Sequence, residues 1–121
     1  MTLKTLASAA TLLLTLSPLT LAAAQSTSDE VTIFETVDDY GTIYSDYNNR
    51  VSLTGIVRGE STPRTLEFGA DYSYQNYGER LRTCERLSLI SMSKPGQYLL
   101  EVRYLNDWEP KELRGCRLIR R

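Results

Sequence analysis

Residues 79–93 read Glu79-Arg80-Leu81-Arg82-Thr83-Cys84-Glu85-Arg86-Leu87-Ser88-Leu89-Ile90-Ser91-Met92-Ser93, and the fold turns on whether they form a helix or a strand. On a helix, Leu81, Cys84, Leu87, Ser88, Ser91 and Met92 gather on one side. Glu79, Arg82, Glu85 and Arg86 gather on the other, as an amphipathic surface helix requires. Pro95-Gly96 would end such a helix. As a strand, the segment would use the Leu87-Ser88-Leu89 alternation and a type II turn at Lys94 to Gln97, but that turn splays the arms of a hairpin. A helix is therefore expected over about 79–93.

The flanking segments carry the period-two pattern of half-buried strands, with turn residues between them. Val31, Ile33 and Val37 suggest a first strand ending at Asp38-Asp39-Tyr40-Gly41, and a short strand over 42–47 stops at Asn48-Asn49. Val51, Leu53 and Val57 stripe one face of 50–58, with Gly55 a candidate bulge. Leu66, Phe68, Ala70, Tyr72 and Tyr74 form the inward side of a long strand. After the helix, Tyr98, Leu100, Val102 and Tyr104 mark another strand, and Cys116 and Leu118 the inward side of the last.

Several strands, one helix and two further strands make a mainly β, small α+β fold. The expected architecture is an OB-like Greek-key β-barrel of five or six antiparallel strands, with the helix between its third and fourth strands and an extra strand or hairpin ahead. A strand at 81–92 would instead favour an immunoglobulin-like β-sandwich.

The chain of 121 residues starts with Lys4, an apolar stretch from Leu6 to Leu16 and an Ala22-Ala23-Ala24 cleavage motif, the layout of a secretory signal peptide. Interruptions at Ser8, Thr11, Thr15, Ser17, Pro18 and Thr20 argue against a retained anchor, since a spanning helix needs about 20 apolar residues. Cleavage is expected after Ala24, with no stable membrane insertion afterwards. Residues 25–30 then form a polar flexible leader and 31–121 a single β-rich domain, periplasmic or extracellular. In that setting Cys84 and Cys116, the only cysteines, are expected to form a disulfide.

Cleavage would remove Lys4 and take the net charge from −1 to −2, which is not the balance of a nucleic-acid-binding domain. The charge is uneven: residues 25–79 hold 10 acidic and 3 basic groups, residues 80–121 hold 5 and 10, and mutual neutralisation in the fold is expected. With no histidine, the commonest general base, the usual triad and most zinc sites are missing. Catalysis would rest on carboxylates such as Asp38, Asp39, Glu60, Glu67 and Asp71. Asp38-Asp39 read better as turn formers. The acidic spacing at Asp38, Asp39, Asp46 and Asn48 matches no calcium loop, so neither metal nor cofactor is expected.

Tyrosine is the compositional excess, with eight residues, six of them in the clusters 39–47 and 71–77. Its rigid apolar ring with a polar tip suits interfaces and sugar grooves. Tyr72, Tyr74, Tyr98 and Tyr104 fall on inward faces. Tyr40, Tyr44, Tyr47 and Tyr77, beside Asp46 and Asn76, are the candidate recognition residues. The expected function is a non-catalytic exported domain binding a protein or glycan, in one form an inhibitor or immunity-type protein. The alternatives are a carboxylate hydrolase acting on extracellular polysaccharide and a structural subunit of a homo-oligomer. Native mass spectrometry of the exported protein should give a chain beginning at Gln25 and two mass units lighter than its reduced form; a mass that includes residues 1–24 would contradict the cleavage assignment.

Overall fold

The computed structural model of the chain describes residues 28–44, 49–70, 77–107 and 109–121, with the side chain of Tyr77 outside that set. The described residues form β1 (Glu30–Phe34), β2 (Asp39–Ile43), β3 (Asn49–Gly55), β4 (Arg64–Ala70), α1 (Tyr77–Ser93), β5 (Tyr98–Leu105) and β6 (Lys111–Arg120). No described helix is long and apolar enough to cross a membrane.

The 79–93 stretch is helical, and its two faces are those that the spacing requires. Leu81, Cys84, Ser88 and Ser91 are buried, Leu87 and Met92 pack against the core, and Glu79, Arg82, Glu85 and Arg86 are exposed. Buried Ser88 is satisfied within the helix, donating its hydroxyl to the Cys84 carbonyl at 2.7 Å. The helix ends in a tight turn in which the Gln97 amide donates to the Lys94 carbonyl at 3.2 Å. Gly96 occupies the third turn position at φ 77°, a conformation that side chains with a Cβ rarely adopt.

All six strands share one sheet, ordered β1-β5-β6-β4-β3-β2. The helical assignment and the single sheet exclude the immunoglobulin-like sandwich. β1 and β2 behave as the arms of one bent first strand: β1 pairs with β5 and β2 pairs with β3. Counted that way, the helix lies between the third and fourth strands, the OB-like order.

Two features of the expected barrel are corrected. The strands are not all antiparallel: β4 and β6 run parallel, with Phe68 opposite Lys111 and Gly69 opposite Glu112. A parallel pair needs a long crossover, and α1 together with β5 provides it. Nor is the barrel closed by a continuous ladder. The end of β1 meets the continuation of β3 through the Phe34–Val57 bridge and a few bonds at the bend. The Glu35 amide donates to the Ile56 carbonyl at 2.7 Å, and the Arg58 amide to the Ile33 carbonyl at 2.8 Å.

The bend also changes which residues face inward. The expected Val31/Ile33/Val37 stripe is replaced by Phe34 and Val37, while Val31 is 47% exposed. Phe34 lies opposite Leu100, and the chain turns over 35–38 so that Val37 also faces the core. Asp39 belongs to β2 rather than to a turn. β1 begins at Glu30, whose side chain accepts a bond from Asn106 at 3.2 Å, and the Asp29 carboxylate lies 3.6 Å from Arg114.

Gly55 is not a bulge, because the β3–β4 register runs through it without a shift. A Cβ there would run into the Thr36 carbonyl and come within 3.1 Å of the Val37 Cα, so the glycine lets the bent segment cross β3. The irregularity lies in β6, where Arg103 faces Gly115 but Tyr104 faces Leu113, leaving Arg114 as the extra residue. That insertion puts Leu113 and the Cys116/Leu118 pair on the same core side.

Phe34, Val51, Leu53, Phe68, Leu100 and Val102 are fully buried at the centre, with the rings of Phe68 and Tyr104 5.4 Å apart. Cys84 of α1 is bonded to Cys116 of β6, with their Cα atoms 5.1 Å apart, and this fastens the helix to the sheet. In the chain-entropy description a closed loop of this length contributes about 4 kcal/mol. Replacing both cysteines by alanine should lower the unfolding free energy by about 2–4 kcal/mol in urea titrations. Gly55→Ala should cost about 1–3 kcal/mol through displacement of the 36–37 backbone, and an unchanged denaturation midpoint would refute that crossing.

Candidate binding groove

Outward-facing residues of β3 and β4 alternate with the core residues: Arg50, Ser52 and Thr54 on one strand, Thr65 and Glu67 on the other. Their register places Thr54 opposite Thr65, whose hydroxyls are 2.7 Å apart. Arg50 Nη1 donates to Glu67 Oε2 at 3.1 Å across the same strands. Both members of this pair are well exposed, so it orients side chains more than it stabilises the fold.

The other wall comes from the approach to β6. Glu109, Pro110 and Lys111 face Arg50, Thr65 and Glu67 across a groove of about 310 Å³, a size that suits a small ligand or one residue of a larger one. Pro110 sits over Gly69, where a Cβ would come within 2.8 Å of the proline ring. Lys111 pairs with inward-facing Phe68, and its Nζ lies 4.9 Å from the centre of the Tyr104 ring, a cation–π contact that turns the ammonium toward the core side rather than the groove. The groove is thus lined by the Thr65 hydroxyl, the carboxylates Glu67 and Glu109 and the Arg50 guanidinium, with Leu66 and Pro110 as its apolar part. Such a lining can hydrogen-bond a polar group.

The recognition residues expected from sequence divide into three groups. Tyr44, directly after β2, is 71% exposed. It follows Ile43, itself 50% exposed and paired with Arg50 of the groove. Tyr40 is half-buried against the core, and its hydroxyl lies 3.5 Å from the Leu81 carbonyl of α1. Tyr47, Asp46 and Asn76 lie outside the described residues, as do Tyr72, Tyr74 and Asp71. Tyr77 opens α1, with its side chain likewise undescribed. Of the carboxylates considered for hydrolysis, Glu60 is held by Arg64 at 3.0 Å in the turn before β4, away from Glu67 in the groove. Among the described residues no cluster of three or more acidic, cysteine or histidine side chains could hold a metal ion.

Arg50 and Lys111 were not visible as site residues in the sequence. Arg50 meets Glu67 through strand register across 17 positions, and Lys111 arrives through the parallel β4–β6 pair. Neither relation leaves a local motif.

Among the described residues the charge halves meet at surface pairs such as Arg121 with Glu35 at 3.4 Å and Arg114 with Asp29 at 3.6 Å. A stronger cluster lies on the outer face of β5 and β6. Glu101 is buried, its side chain 7% exposed, with Oε1 accepting from Arg103 Nε at 2.9 Å and Oε2 from Arg117 Nη2 at 2.8 Å. The hydrogen bond from Arg103 holds the Glu101 carboxyl below its ordinary 4.5. Burial opposes this and Arg117 adds to it. A depressed carboxylate pKa stabilises the fold above the unfolded-state value, and that stability is lost as pH falls through the folded-state value. Glu101→Gln should therefore cost about 1–3 kcal/mol at pH 7. The gap between wild type and variant in urea should narrow below about pH 4.5, the ordinary value.

No family model, curated protein or solved structure matches this chain, so the reading of its surface rests on geometry and chemistry.

Proposed function

We propose that this chain is a small exported, non-catalytic binding domain that recognises a protein or glycan through the β3–β4 groove and the hairpin beside it. An inhibitor or immunity-type protein is one specific form. The observation that carries this reading is exposed Ile43, paired with Arg50 of the groove and followed by Tyr44 at 71% exposure. Exposed tyrosine contributes contact area at little entropic cost, and the flanking ion pair and threonines supply direction. Export accords with the disulfide, which persists in oxidising compartments, and with the leader-like start of the chain. By analogy of fold alone, the corresponding strands of OB-type barrels are used for ligand binding.

The hydrolase alternative draws on Glu67 and Glu109 sharing one groove. Arg50 already occupies Glu67, which suits an ionised recognition group better than a proton donor.

Tyr44→Ala should weaken capture of the cognate partner at least tenfold, equivalent to about 1.4 kcal/mol, and Tyr77→Ala should weaken it further. The thermal midpoint of Tyr44→Ala should stay within about 2 °C of wild type, since an exposed substitution changes stability little. Undiminished capture by a Tyr44→Ala/Glu67→Ala double variant would overturn the assignment. Loss of polysaccharide hydrolysis in Glu67→Gln and Glu109→Gln would establish the alternative.

A further inference from the structure

We propose a second site, on the outer face of β5 and β6, that binds an oxyanion group through Arg103 and Arg117 over the bare backbone at Gly115.

The two guanidiniums are set in place by one buried carboxylate. Glu101 spends one oxygen on Arg103 Nε and the other on Arg117 Nη2. The carboxylate is thereby used up, while the cations are not. Arg103 keeps both terminal amino groups clear of this carboxylate, and Arg117 keeps Nε and Nη1 clear of it. Their side chains are 50% and 61% exposed, and the trio carries a net positive charge. Guanidinium forks fixed in this way suit carboxylate, sulfate and phosphate, because the ordering cost of two long side chains has already been met.

Gly115 is the independent observation. It faces Arg103 in the ladder, two residues from Arg117 on the same outward side of β6. Its φ is not positive, so the backbone does not require glycine. A Cβ there would meet nothing within 4 Å, so packing does not require it either. A glycine inside a strand weakens it and frequently marks the close approach of a ligand. The bulge at Arg114, next in the chain, is a device found where side chains are re-aimed beside functional sites. A cleft of about 280 Å³ also opens at this glycine, lined by Glu79, Arg80 and Thr83 of α1 and by Cys116, with both charge signs on its helix wall. On the outer face, Gly115 is therefore bare backbone opposite Arg103 in the ladder and two residues from Arg117. An ion-pair network serving stability alone has no use for that bare floor.

The site is separate from the tyrosine-flanked groove and stands whether or not that groove binds a partner. Its test is a titration of the full mature protein with sodium acetate, sodium sulfate and sodium phosphate at pH 7 and constant ionic strength made up with chloride. The readouts are the Nε resonances of Arg103 and Arg117 and the Gly115 amide. Saturable shifts at all three are expected, in the millimolar range, for at least one oxyanion over chloride. The ranking of the three salts distinguishes a carboxylate source from a sulfate or phosphate ester. Gly115→Val fills the floor and leaves both arginines; it should weaken binding at least tenfold without lowering the thermal midpoint. Arg117→Gln should weaken binding likewise but with a lower thermal midpoint, because buried Glu101 loses a partner, and Arg117→Lys should recover only part of the affinity. Linear shifts equal to those from chloride alone, or undiminished binding in Gly115→Val or Arg117→Gln, would overturn the proposal.

Discussion

The crossing of the 36–37 backbone over Gly55 is the contact on which the rest of the architecture depends. The chain leaves β1 hydrogen-bonded to β5, bends at 35–38 and enters β2 hydrogen-bonded to β3. One bent segment thereby supplies both edges of the sheet and covers what would otherwise be two long unpaired strands. Glycine at 55 permits the approach, and Phe34 and Val37 anchor its two sides in the core. Because the segment must bend, the sheet stays open at the seam, and β2 ends with exposed Ile43 beside Arg50 of β3.

The far side is held by a different device. The parallel β4–β6 pair extends over only two residue pairs, and beyond it α1 packs along β6 in place of another strand. The disulfide joins that helix to β6 at Cys116, one residue from the Gly115 cleft. Among the described residues about a dozen apolar ones form the buried core, and domains of this size commonly need such a staple. The outer faces are then left for polar work: threonines and an Arg–Glu pair on β3 and β4, arginines over a buried carboxylate on β5 and β6.

Much of this was legible in the sequence wherever a local period carried the information. The 3.6-residue spacing of Leu81, Cys84, Leu87 and Ser91 named the buried helix face, and the alternation at Leu66-Phe68-Ala70 and Leu100-Val102-Tyr104 named the inward strand faces. The cysteine pair followed from count and compartment. The first strand was misread because Val31 and Ile33 alternate well locally, while the bend at 35–38 is fixed by a long-range crossing at Gly55 that no local period records. The parallel pair and the Arg114 bulge escaped for the same reason, since both depend on register between distant segments. The groove was half legible. Tyr44 stood out as an aromatic beside a turn, whereas Arg50, Thr65 and Lys111 are ordinary residues until the fold assembles them.

The central claim is that the Tyr44 hairpin meets a partner outside the cytoplasm. The most direct measurement is photocrosslinking in the native host with Tyr44→p-benzoylphenylalanine, using the same substitution at exposed Leu89 on α1 as the reference position. The account predicts one discrete adduct from position 44, located in the exported fraction and absent from position 89. No adduct at 44, or the same adduct pattern from both positions, would contradict it.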